Sequence, residues 1–244
     1  MEILIFVGLV VFITHALEAV TGFGCTVLAF PFVLMLFDGD IDHTKVLLSV
    51  PALAIAAYYS VTKYRQIDRK QFLIIILFAA LGMPIGMWLF ESMNADILTL
   101  ILGSFIVLSA SLQLMGNAAA KILDILPRKG YLIAGGIVHG AFAVGGPLIT
   151  LYSANVISDK GRFRATMCLL WTILNTVLLI MFAATGKLTP TLGNELLFTA
   201  PFLIAGIIVG DMIHNRVNEA LFRKIVFSSL LLVGIVMILN CNLN

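Results

Sequence analysis

Eight long apolar stretches are the strongest constraint on what this chain can become. They run over roughly 3–37, 44–62, 71–90 and 97–115, and then 131–156, 165–185, 195–213 and 225–240. A helix needs about 20 apolar residues to cross roughly 30 Å of hydrocarbon, and most of these stretches reach that length with few charges inside them. The alternating pattern of barrel strands does not occur, so the backbone must satisfy its own hydrogen bonds as helices. At 61% hydrophobic residues and a mean hydropathy of +1.08, the 244-residue chain is more apolar than a soluble core of its size requires. The expected fold is all-α, a polytopic membrane helical bundle forming one transmembrane domain over 1–244.

Several function classes drop out early. A formal charge of +2 is too mild for a nucleic-acid partner. Cys25, Cys168 and Cys241 lack metal-ligand spacing and read as small packing residues, and no phosphate-binding P-loop is present. Neither a metal nor another cofactor is therefore expected. The first 20 residues carry Glu2 and no Lys or Arg ahead of the apolar run, so they read as mature protein rather than a signal peptide.

The chain repeats itself. His15–Phe23, HALEAVTGF, and His139–Pro147, HGAFAVGGP, place His, Ala–Val and Gly at the same spacings, 124 positions apart. Without a gap, that offset also carries Thr26 onto Thr150, Phe78 onto Phe202, Gly82 onto Gly206, Gly86 onto Gly210, Asn94 onto Asn218 and Ser104 onto Ser228. Two repeats, about 1–116 and 125–244, are expected. Thirteen of the fifteen basic residues fall in four connectors: Lys63, Arg65, Arg69 and Lys70; Lys121, Arg128 and Lys129; Lys160, Arg162 and Arg164; Arg216, Arg223 and Lys224. Placing these in the cytoplasm leaves only Lys45 and Lys187 outside and turns both termini outward. Equivalent connectors then lie on opposite sides, so the repeats should be inverted, each with a hairpin followed by three spans.

The hairpins are 3–37 and 131–156. The second starts and ends on the same side, yet 26 residues give only about 39 Å of helix, too little to cross twice. It should be re-entrant, with its bend near Gly145, Gly146 and Pro147. The first should bend near Gly22–Phe23–Gly24 and is long enough to be either re-entrant or two nearly full spans. A helix that starts near the midplane points unpaired N–H groups and its positive dipole end inward, which suits an anion. Candidate substrate-binding residues are His15, Thr21, Gly22, Gly24, Cys25, Thr26, His139, Gly145, Gly146, Pro147, Thr150 and Asn175. No Lys or Arg is expected inside a span, which favours a small anion. The alternative for the glycines is plain helix packing.

Glu18 is the residue without a repeat partner, because Phe142 stands at its equivalent position. A mid-membrane carboxylate costs roughly 2.5–3.5 kcal/mol on insertion scales and needs a role or a partner. Coupling transport to a proton is one role; a neutral acid bonded to His15 or to backbone is the other. Arg164 reads as an anion-attracting gate at the cytoplasmic mouth or as a topological anchor. Asp211 stands alone near a cytoplasmic end.

With these residues in view, the chain resembles the TauE/SafE sulfite-exporter family over nearly its whole length. Thr21–Gly22–Phe23–Gly24 followed by Pro31 is similar to the family's glycine-rich first motif. Gly145–Gly146–Pro147, Tyr152, Phe163–Arg164–Ala165–Thr166 and Asn175 are similar to its second. Cys25 and Leu148 depart from the common pattern. The resemblance implies a non-enzymatic secondary transporter of small sulfur-containing anions, such as sulfite, sulfoacetate or related organosulfonates. It would be an exporter driven by a proton or ion gradient, in the bilayer of a bacterial inner membrane. The residues alone reach only a small-anion transporter and leave open a passive anion channel or a cation or proton carrier centred on Glu18.

Overall fold

The computed structural model describes residues 2–115, 129–213 and 219–240. Among these residues there are ten α-helices and no strands: α1 (Glu2–Thr21), α2 (Cys25–Leu36), α3 (Ile41–Thr62), α4 (Arg69–Ser92), α5 (Ala95–Met115), α6 (Gly130–Phe142), α7 (Gly146–Val156), α8 (Lys160–Ala184), α9 (Pro190–Ile213) and α10 (Glu219–Asn240). Lys121, Arg128, Arg216, Asn218 and Cys241 lie outside the described residues, as do the side chains of Arg223 and Lys224. Six helices, α1, α3, α4, α5, α8 and α9, are long and apolar enough to cross a membrane. The chain is a polytopic helical membrane protein.

Eight apolar segments become ten helices because 3–37 and 131–156 each break. The 20 residues of α1 make about 30 Å of helix, a full crossing, but the 12 of α2 make only about 18 Å. The first hairpin therefore pairs one full-length arm with one half-length arm. In the second, α6 and α7 have 13 and 11 residues, about 20 and 17 Å, and neither arm reaches across.

The two breaks are built differently. At the first, Gly22 and Gly24 take φ of 83° and 104°, a region open to glycine without steric cost. At the second, Ala143 makes the left-handed turn, with φ of 59°, two residues ahead of the expected bend. Gly145 has an ordinary helical backbone, with φ of −62°. Its glycine serves close approach instead, since a Cβ there would run into Gly135 O and His139 Cβ. Pro147 falls in the first turn of α7, where its missing N–H breaks no helical bond.

Three helix starts are set by aspartates rather than by apolar windows. Asp40, Asp68 and Asp159 accept the backbone N–H groups of His43, Gln71 and Arg162 at 2.9, 3.1 and 2.8 Å. Each such cap is worth about 1 kcal/mol and extends its helix past the hydrophobic stretch. This corrects the expectation that no Lys or Arg lies within a span: Lys45 in α3 and Arg164 in α8 are both buried helix residues.

The most extensive packing joins α4 to α6, α1 to α9, α5 to α10 and α3 to α8. Gly82 and Gly86 of α4 meet the backbones of Ile133 and Ile137, while Gly136 and Gly140 of α6 meet those of Ala79 and Met83. On the other side of the bundle, Gly206 and Gly210 of α9 meet those of Phe12 and Ala16 of α1. Small residues let the backbones touch, which is how membrane helices gain dispersion energy without help from water.

Polar contacts collect in two layers at opposite ends of α3. At its start, Lys187 donates to Asp42 at 2.6 Å and to Glu91 at 3.0 Å, and His43 Nε2 sits 2.8 Å from Glu195. At its far end, Tyr59 donates to Asp211 at 2.8 Å; nearby, Arg162 bonds Asp68 at 3.0 Å. Connectors grouped by charge in the sequence thus meet in space. Partial burial works against the Lys187 ammonium, but its hydrogen bonds to Asp42 and Glu91 outweigh that and hold its pKa above the ordinary lysine value. The clasp therefore stabilises the fold fully below the unfolded lysine pKa and is lost as pH rises through the higher folded value. The melting temperature of Lys187→Met should fall less than that of the native protein as pH is raised above about 10; equal losses would show that the clasp does not couple to folding.

Candidate functional site

A small cavity lies where the two hairpin breaks meet. Its wall contains Glu18 of α1, Gly24–Cys25–Thr26–Val27 at the start of α2, Ala52 of α3, His139 and the turn Ala143–Val144 after α6, Gly146 of α7, and Trp171 and Asn175 of α8. In α2 the backbone ladder begins with Leu28 N–H to Gly24 O at 3.1 Å, leaving the amides of Cys25, Thr26 and Val27 ahead of it. In α7 it begins with Ile149 N–H to Gly145 O at 3.3 Å, leaving Gly146 and Leu148. Two helix N-termini thus border one space.

Several side chains there keep polar atoms without partners. His139 is 2% exposed, and neither ring nitrogen has a hydrogen-bond partner. The amide oxygen of Asn175, 3% exposed, also lacks one. Buried polar atoms left without a partner cost about 1–3 kcal/mol each, so their shared position on a cavity wall marks a place for a ligand or water. Glu18, also 3% exposed, is bonded to backbone and not to His15: its Oε2 accepts the N–H of Cys25 at 2.9 Å.

Of the expected binding residues, the structure gathers Gly24, Cys25, Thr26, His139, Gly146 and Asn175, together with Glu18. The others stand behind the wall or away from it. His15 Nδ1 bonds Val11 O at 2.8 Å, on its own helix. Thr21 donates to Leu17 O at 2.9 Å and Thr150 to Pro147 O at 2.9 Å, so both hydroxyls serve their own hairpins. Gly22, Gly145 and Pro147 shape the breaks without lining the cavity.

Arg164 is engaged inside the bundle. Its guanidinium donates to Ala19 O at the C-terminal end of α1, lies 4.3 Å from the Tyr59 ring centre, and sits 3.8 Å from Asp211. It covers Gly22, where a Cβ would fall 2.8 Å from the Arg164 side chain. Asp211 is accordingly not alone. Arg164→Ala should lower stability by about 2–3 kcal/mol, measured by thermal unfolding in detergent, because it uncaps α1 and strips Asp211 of its cation; a change below about 0.5 kcal/mol would show that the contact is idle.

Two important residues gave no sequence signal. Trp171 stacks on His139 with ring centres 5.6 Å apart and donates Nε1–H to Gly22 O at 3.3 Å, tying one hairpin tip to the other. Within an apolar span, a tryptophan looks like any lipid-facing aromatic. Lys45, 1% exposed, donates to Gly140 O at 2.9 Å and lies 3.7 Å above the Phe90 ring, placing a cation at the C-terminal end of α6 directly behind His139. It sat at the edge of an apolar stretch and read as an outside charge.

The family model for the sulfite exporter TauE/SafE matches residues 7–237 of the 244. The chain belongs to that family. Membership makes it an integral membrane transporter rather than an enzyme, with a small anion as its substrate class. No curated protein and no solved structure matches the chain.

Proposed function

We propose that this protein is a secondary transporter of small sulfur-containing anions, with sulfite, sulfoacetate and related organosulfonates as candidates, exporting them at the expense of a proton or ion gradient. The observation that carries the reading is the convergence of the α2 and α7 N-termini on one cavity whose wall also holds His139, with neither ring nitrogen bonded, and Asn175, with its amide oxygen unbonded. Backbone N–H groups at two helix starts stabilise a small oxyanion without a side-chain cation. His139 as a donor and Asn175 through its amide N–H₂ would complete its coordination.

Two inverted repeats explain the pairings of α1 with α9 and α4 with α6, in which the first arm of each hairpin packs on a helix of the other half. Rocking one pair against the other would open the cavity to each side in turn. On this reading the protein lies in a bacterial inner membrane with both termini outside, since the positive-inside rule places the basic connectors in the cytoplasm.

Proteoliposomes loaded with sulfite provide the test. An imposed proton gradient should drive sulfite movement uphill, and the flux should fall at least tenfold in Asn175→Ala. Flux that ignores the gradient and carries electrical current would make the protein a channel; no flux of sulfite, sulfoacetate or methanesulfonate under any gradient would sink the assignment.

A further inference from the structure

The cavity already contains a carboxyl group of the protein's own. The Glu18 carboxyl group is bonded to the Cys25 amide, the first of α2, in the very place where the proposed function seats a substrate oxygen. What remains open is about 20 Å³, which is room for about one water. An oxyanion with three oxygens on sulfur does not fit beside the carboxyl group. Meanwhile both ring nitrogens of His139 and the amide oxygen of Asn175 wait unpartnered across the gap. The site has its donors in place and one of its seats taken.

We propose that Glu18 is an internal competitor for the substrate: its carboxylate and the transported anion occupy the N-terminus of α2 alternately, and a proton on Glu18 accompanies each anion that binds. This deepens the anion-transport reading above and rests on it; because proton and anion then move together, uphill export draws on an ion gradient other than an inward-directed proton gradient. The chemistry is a change of acceptor. An ionised carboxylate bonds the Cys25 N–H and the positive end of α2 strongly, whereas a protonated one has lost the charge that holds it there. A fully ionised oxyanion then takes the amides, and the neutral acid swings aside with its O–H free to donate. The net charge of the site stays at one negative in both states, which a low-dielectric interior favours over two or none.

The repeat makes the device one-sided. Phe142 stands where a second glutamate would be, and a Cβ on Gly146 at the start of α7 would meet nothing closer than 3.9 Å. Only α2 carries its own blocker. The ionisable groups around Glu18 are few: His15 on the same helix, Cys25 from α2, His139 from α6, and Cys168 from α8. Arg164 from α8, Asp211 from α9 and Tyr59 from α3 are engaged with one another at the end of α1, and Lys45 of α3 lies behind His139. His139 is the one other group facing the cavity that could take the proton, so the test separates it from Glu18.

The experiment measures binding of sulfite and of methanesulfonate to the purified full-length protein in detergent, by calorimetry and by thermal stabilisation, between about pH 5 and 8. Methanesulfonate stays ionised across that range, so any pH dependence belongs to the protein. In the native protein its affinity should rise as pH falls, by up to about tenfold per unit, as linkage to one proton requires. In Glu18→Ala and Glu18→Gln the dependence should vanish, and Glu18→Ala should bind at least about tenfold more tightly near pH 8, because the seat is no longer occupied most of the time. Glu18→Gln keeps the side-chain volume and a hydrogen bond, so a folding defect in the alanine variant does not decide the outcome. Native binding that is flat with pH and no weaker than that of either variant overturns the competitor while leaving the anion site standing. PH dependence retained in both Glu18 variants but lost in His139→Gln assigns the proton to His139 and also overturns it. If neither anion binds the native protein or the Glu18 variants, the anion site itself falls, and the competitor with it.

Discussion

Gly86→Val is expected to prevent the bundle from assembling. The α4–α6 interface places the Gly86 Cα directly against the Ile137 carbonyl and the Ala141 amide, and even a methyl group there overlaps backbone, which cannot rotate away as a side chain can. Overpacking a core typically costs about 1–3 kcal/mol, and a clash with two rigid helices belongs at or beyond the upper end of that range. The damage also spreads, because α6 carries His139 and ends in the turn at Ala143 that aims α7 at the cavity. The variant should yield little monodisperse protein in detergent and melt far below the native chain. Gly193→Ala is the control: its Cβ meets nothing within 4 Å, so its stability should equal that of the native protein or exceed it by up to about 1 kcal/mol. A folded Gly86→Val protein with native stability would show that α4 and α6 do not pack as described.

His139→Ala is expected to have the second largest effect, and on binding rather than on folding. A hydrogen bond to a charged group is worth about 1.5–3 kcal/mol, so anion affinity should fall about ten- to a hundredfold. The ring also stacks on Trp171, and some stability will go with it. His139→Gln distinguishes the two contributions, since it restores a donor of similar reach but not the stack. Partial recovery of affinity in the glutamine variant, with a melting temperature near that of the alanine variant, is the expected pattern. His15→Ala supplies the contrast. His15 lies outside the cavity wall and bonds Val11 O, so its loss should leave affinity within about threefold of native. Equal losses of affinity in the His15 and His139 variants would mean that the two histidines act alike, as their equivalent places in the repeat suggest, and that the cavity does not separate their roles.

The histidines show where sequence reasoning works and where it stops. The recurrence of HALEAVTGF as HGAFAVGGP places both rings one to two turns before a glycine-rich break, and both breaks are there. Periodicity carries that much because glycine and proline act locally on the backbone. Which way each ring points is another matter. Having Val11 O within reach four residues back occupies one ring nitrogen of His15, whereas His139 has its face taken by Trp171 and both nitrogens left over. Trp171 lies 32 positions away from His139 on another helix, and no spacing rule connects them. The same holds for Arg164. Its position in Phe163–Arg164–Ala165–Thr166 suggested the membrane surface, but Asp159 starts the helix early enough to carry the guanidinium inward under α1.

By itself the sequence determined that this chain crosses a membrane as helices, that two hairpins break near glycine-rich stretches, and that a carboxylate stands beside one break and not the other. Those properties follow from apolar length and from the backbone preferences of individual residues, which act over a few positions and can be read along the chain. Only the tertiary structure decided that the two breaks face one cavity, that Lys45, Trp171 and Asn175 gather around His139, and that Glu18 rests on the first amide of α2. Those contacts depend on how closely α4 meets α6 and α1 meets α9, a balance of backbone approach and side-chain shape between segments far apart in the chain.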